Sequence, residues 1–155
     1  MIDVPLRLWN RAHWELRGRP DSVHFFRVLR TALPTATTLF VEGTCMADDV
    51  RAFFSSACEF GPHLPARQTI WPRPTQFRLP ADDLTLKRLM ELAASHAEPE
   101  ILDHIFVYVG PDPLLEYPDA FAPGSPIFIS GDLPEPQVRW FAQELRLAIE
   151  PVGAP

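Results

Sequence analysis

Lysine is almost missing from this sequence: Lys87 stands alone among 14 basic residues, and asparagine occurs once, at Asn10. The 18 prolines well exceed the roughly 5% of average usage. With the abundant alanine, this is the coding bias of a GC-rich, bacterial genome. Cysteine is scarce too, Cys45 and Cys58 being the two present. No disulfide framework is implied, and the helix expected between them favours two reduced thiols over a bridge. No apolar run is long enough to cross a bilayer, and the first twenty residues lack the apolar centre of a secretory signal. A cytoplasmic protein without membrane association is therefore expected. The glycines lack the spacing of a nucleotide-binding loop. Repeats, low-complexity tracts and Gly/Ser linkers are absent as well, which leaves no internal boundary.

At 155 residues and 46% hydrophobic content, the chain suits one globular domain with a core of its own. Helices are expected from about Ser22 to Leu33, from about Ala47 to Gly61, after Pro80 up to Pro99, and from Asp132 through Ile149. Each carries an apolar stripe at helical spacing, such as Phe25, Phe26, Leu29 and Leu33. Asp132 to Glu135 has capping-box spacing. Strands are expected at 37–42, 68–79, 105–109 and 127–129, where β-branched and aromatic residues cluster; Pro72 and Pro74 mark the second as bent or at an edge. The reading is an α/β single domain, 1–155, with a small mixed sheet of about four strands covered by about four helices. Residues 1–20 form a Trp/Arg-rich lead-in packed on it, and 151–155 a short flexible tail.

Charge is unevenly placed. Residues 1–30 hold six arginines against Asp3, Glu15 and Asp21, whereas no lysine or arginine lies between Arg88 and Arg139. That gap contains Glu91, Glu98, Glu100, Asp103, Asp112, Glu116, Asp119, Asp132 and Glu135. A one-sign patch steers an oppositely charged partner. The connection from Gly110 to Ser125 reads as a long, proline-stiffened loop, a class often functional in compact domains. Its Tyr117 and Phe121 would anchor a partner, with Asp112, Glu116 and Asp119 steering it, provided the aromatics lie at the surface. The alternative is that these apolar side chains pin the loop to its own domain.

Catalytic patterns are weak. Cys45 to Arg51 fits the C-x5-R spacing of a phosphate-binding loop, but Asp48 and Asp49 inside it would repel the anion. Cys45 before a helix could be an activated thiol, with Glu42 near it. His96, Asp103 and His104 have the chemistry of metal ligands without a metal-site spacing. Asp82 and Asp83 before a helix are better read as caps than as acid/base carboxylates paired with Glu42. Net acidity opposes nucleic-acid binding despite Trp9 and Trp14 among the N-terminal arginines.

The expected function is a non-enzymatic protein-binding domain, without cofactor or metal, presenting an acidic, proline-stiffened surface to a basic protein partner. Size, acidity and missing catalytic motifs give it the general character of immunity and antitoxin proteins, an analogy of size and charge. The rivals are a small metal- or thiol-dependent enzyme using His96, Asp103 and His104 or Cys45, and a structural subunit that buries Trp9 and Trp14 at an interface.

Overall fold

The computed structural model describes residues 8–34, 36–62 and 75–153. A 3-10 turn, Leu8–Asn10, precedes β1 (His13–Arg17), α1 (Ser22–Ala32), β2 (Thr37–Gly43), α2 (Asp48–Ala57), β3 (Thr75–Pro80) and α3 (Asp83–Ser95). A second 3-10 turn, Glu98–Glu100, leads into β4 (His104–Val109), β5 (Asp112–Tyr117), β6 (Ile127–Ser130), α4 (Glu135–Glu144) and β7 (Ala148–Val152). The strands form one sheet in the order β3-β2-β4-β5-β6-β1-β7, and every neighbouring pair is antiparallel. The expected mixed sheet of about four strands is thus corrected to seven antiparallel ones. The expected strand at 68–73 lies outside the described residues, as does Pro74.

The helices start and stop where local chemistry dictates. The Asp21 side chain accepts from the His24 N–H at 2.9 Å and opens α1. Pro34 excludes the helical conformation from Leu33 (ψ 136°), which ends it. Asp82 caps α3 through the Thr85 N–H. Asp48 and Asp49 occupy the first turn of α2, at the positive end of its dipole. The capping box expected at Asp132 does not form: α4 begins at Glu135, after Pro134, and the Asp132 N–H donates to Ser130 Oγ instead. The stripe read as continuing to Ile149 stops at Leu145. Arg146 adopts φ 56°, and Ile149 belongs to β7.

All four helices bury their stripes in one cluster against one sheet face. Phe25, Leu29, Phe54, Leu86, Leu89, Val138 and Phe141 meet Leu16, Leu39, Val41, Ile105, Val107, Leu115, Ile127 and Ile129 there. Phe25 is its hub, edge-on to Phe26, Phe121 and Phe141 and tilted against Tyr117, with centroids 5.4–6.1 Å apart. Such ring pairs add about 0.5–1.5 kcal/mol each beyond area burial.

Three strands went unread for separate reasons. β1 alternates apolar and charged residues, yet it is an inner strand between β6 and β7, so the N-terminal segment is part of the sheet and no edge. β5 contains Pro113, which sits at a bulge where the register with β4 shifts, a position that tolerates a missing N–H. β4 and β5 are joined by Gly110-Pro111, with Gly110 at φ 56°, a two-residue hairpin that wants glycine first. β7 includes Pro151 and Val152, which pair with Trp14 and His13, so the expected tail from 151 is strand for its first two residues.

Candidate functional site

Within the connection from Gly110 to Ser125, the six residues Asp112–Tyr117 form β5 and turns make up most of the rest. Tyr117 and Phe121 are fully buried in the aromatic hub and offer a partner nothing to touch. The reason is local: the Tyr117 hydroxyl accepts the Phe121 N–H at 2.9 Å, folding the turn after β5 back onto its own strand. Burial pushes the phenol up to about 12, while the bond from the Phe121 N–H pulls it the other way. Glu116 is buried on the opposite sheet face, where Oε1 accepts the Leu8 N–H at 2.9 Å. Asp112 is exposed at the start of β5 and Asp119 half-exposed beyond its end. Of the five residues read as one patch, two are surface acids at opposite ends of the sheet.

The metal reading fares no better. His96 Nε2 bonds Asp49 Oδ2 at 2.8 Å, Asp103 Oδ2 accepts the Thr44 N–H and hydroxyl, and buried His104 uses Nδ1 to accept the Asp119 N–H at 2.9 Å. Each group is engaged by a different neighbour. Among the described residues, no three His, Cys, Asp or Glu groups are placed to hold a metal ion. Cys45 is exposed, its sulfur 3.8 Å from the Thr44 hydroxyl oxygen. Cys58 lies beyond the ten-residue α2, about 15 Å of helix where a disulfide needs Cα atoms within about 7 Å. Glu42 pairs across the sheet with Gln76, near one end of β2. Asp82 and Asp83 follow the other end, so these carboxylates form no pair. Trp9 is exposed and edge-on to Phe128, whereas Trp14 is half-buried beneath the Arg139 guanidinium.

What the fold does assemble is an acidic sheet end. Antiparallel pairing of β2 with β4 brings the exit of β2 beside the entrance of β4, with Glu42 opposite His104. Backbone bonds from Ala47 N to Glu100 O, Asp103 N to Glu42 O and Ala120 N to Asp103 O (2.7–2.8 Å) tie three separate segments together there. Glu42, Asp48, Asp49, Glu98, Glu100, Asp103 and Asp119 therefore converge. Among the described residues, basic groups pair with this cluster through His96, onto Asp49 and Glu100, and through Arg19, 4.0 Å from Glu98. The Asp49 hydrogen bond raises His96 above the ordinary imidazole value, and the same bond lowers Asp49. Pro99 and Pro118 stiffen the backbone on either side.

Sequence reading also missed the second sheet face, on which no described α-helix packs and which the 3-10 turn Leu8–Asn10 partly covers. One register row crosses all seven strands: Arg78, Phe40, Phe106, Glu116, Phe128, Glu15 and Glu150. Period-two alternation was the available signal, masked in β1 and β5 by the charged members of the row. His13 is buried beside it: Nδ1 donates to the Arg11 carbonyl at 2.7 Å, and Nε2 lies 3.5 Å from Glu15 Oε1.

No helix among the described residues is long and apolar enough to cross a membrane. No protein-family model matches the chain, and no curated protein or solved structure is significantly similar to it.

Proposed function

We propose that this chain is a non-enzymatic protein-binding domain that presents an acidic surface to a basic protein partner. The surface is the sheet end built from Glu42, Asp48, Asp49, Glu98, Glu100, Asp103 and Asp119, of which Asp119 alone comes from the 110–125 segment. One observation carries the reading: three segments distant in sequence converge their carboxylates on one end, where Arg19 is the one arginine paired with them among the described residues. Concentrated charge of one sign steers association and sets its salt dependence. A basic enzyme or a nucleic-acid-binding surface is the kind of partner it would cover, as immunity and antitoxin proteins do.

The test is affinity capture from native host lysate at low and high salt, with the parent chain and an Asp48→Lys/Glu98→Lys variant. Asp48 is exposed and Glu98 half-buried at the edge of its 3-10 turn, and a circular dichroism melt of the variant checks that the fold survives reversal. A basic protein held by the parent at low salt, released at high salt and absent from the variant is expected. Equal capture by parent and variant at both salts would remove the acidic end as the binding surface.

A further inference from the structure

A groove of about 510 Å³ opens at the other end of the sheet, where β2 begins and β3 runs into α3. It falls within the roughly 300–1,000 Å³ usual for ligand-sized clefts. Pro34, Thr38, Pro80 and Ala81 form its walls, and Arg30, Glu59, Asp82 and Asp83 supply its charges. The Ala81 N–H donates to the Thr37 carbonyl at 3.1 Å, which fixes the floor.

The charges are not equally available. Arg30 and Asp83 satisfy each other through two parallel bonds of 3.0 and 3.1 Å. Asp82 spends Oδ1 on the Thr85 N–H at the start of α3 and keeps Oδ2. The Glu59 N–H donates to Arg78 O at 2.8 Å, and among the described residues its exposed carboxylate enters no ion pair. The groove thus has unspent acceptors and no unspent cation. The residues following Glu59 and Asp83 in the chain, Phe60 and Leu84, are the two most exposed large apolar side chains among the described residues, at 107% and 77%.

The geometry points to this groove as a second docking site, occupied by an arginine side chain of the same basic partner, and so resting on the reading above. Arginine fits better than lysine. Its planar fork can bond Glu59 and Asp82 together, and its flat face can lie against an exposed ring such as that of Phe60.

The test is an NMR titration of the isotope-labelled full chain with acetyl-Gly-Arg-Gly-amide and its lysine counterpart. Saturable shifts of the Thr38, Glu59 and Ala81 amides are expected, stronger for the arginine peptide. Glu59→Gln should weaken them about fivefold, the worth of one partly exposed charge pair. Absence of those shifts, an unchanged titration in Glu59→Gln, or equal response to lysine would overturn the proposal. The Asp48→Lys/Glu98→Lys variant should titrate like the parent. Loss of partner capture in that variant with a silent groove would sink the groove alone. A responsive groove with capture unaffected by that variant would sink the acidic end alone.

Discussion

Replacing Tyr117 by Phe separates a core residue from a binding residue by removing one oxygen. In the parent, the hydroxyl accepts the Phe121 N–H, and neither residue has meaningful exposure. Without it, that N–H is buried with its acceptor gone, a loss of about 1–3 kcal/mol. The ring remains, so the contacts with Phe25 and Phe121 persist and the larger cost of truncating an aromatic core residue is avoided. Phe121 is also held at φ 67°, a conformation unfavourable for an aromatic residue. At a urea m-value of about 2 kcal/mol/M, a loss of 2 kcal/mol moves the midpoint by about 1 M.

The same substitution has an alkaline signature. Because burial raises the phenol to about 12, the folded state keeps its proton where the unfolded state, near 10, has released it. Stability is therefore unaffected below about pH 10 and falls as pH rises toward 12, by about 3 kcal/mol across that interval. Tyr117→Phe lacks this loss, so parent and variant should converge as pH rises. Urea melts at pH 7, 10 and 11.5, with circular dichroism as the probe, read both effects. A variant midpoint within about 0.2 M of the parent at pH 7, or a gap that stays constant with pH, would refute the account of Tyr117 as a buried hydroxyl bracing the turn.

Two further outcomes follow. His96 is raised by Asp49 and Asp49 lowered by His96, so their pairing stabilises fully between the unfolded carboxylate and imidazole values, about pH 4 to 6.5. It is lost as pH rises through the folded value of His96 or falls through that of Asp49. His96→Gln should therefore cost more stability at pH 5.5 than at 8.5, and a pH-independent cost would contradict the pairing. Glu116→Leu removes the acceptor for the buried Leu8 N–H, costing about 1–3 kcal/mol. Hydrogen exchange at the Leu8 amide should accelerate relative to the core strands, and unchanged protection there would show that the 3-10 turn is held by other contacts.

The helices and four of the strands, β2, β3, β4 and β6, were legible because their signals are local. Asp21 before an apolar stripe and Asp82 before another mark helix starts without tertiary help, and the run from Ile105 to Val109 has no rival reading. β1, β5 and β7 were not legible, because a proline or buried charge in each reads as surface. Pro113 is permitted by a bulge that exists only once β4 is alongside, and Glu116 by a backbone N–H supplied from Leu8. The same non-locality misplaced the site. Tyr117 and Phe121 resemble anchors beside prolines and acids until Phe25, more than ninety residues earlier, closes over them.

The acidic stretch between Arg88 and Arg139 is a run in sequence but not a patch in space. Antiparallel hairpins send its members apart: Asp112 to one end of the sheet, Asp119 to the other, Glu116 into the interior, and Glu135 onto Arg139 one helical turn away. The patch that does form recruits Glu42, Asp48 and Asp49 from outside the run, because β2 exits where β4 enters. Recognition built this way is distributed. The screening length at physiological salt is about 8 Å, and the field is shared among seven acids, so each should add modestly and none should dominate. Single neutralisations at Asp48, Glu98 or Asp119 should then lower the association rate in small steps that accumulate. Dissociation would be governed instead by short-range contacts such as those of the groove. A single acid whose removal abolished association would contradict a steering surface and indicate one buried ion pair.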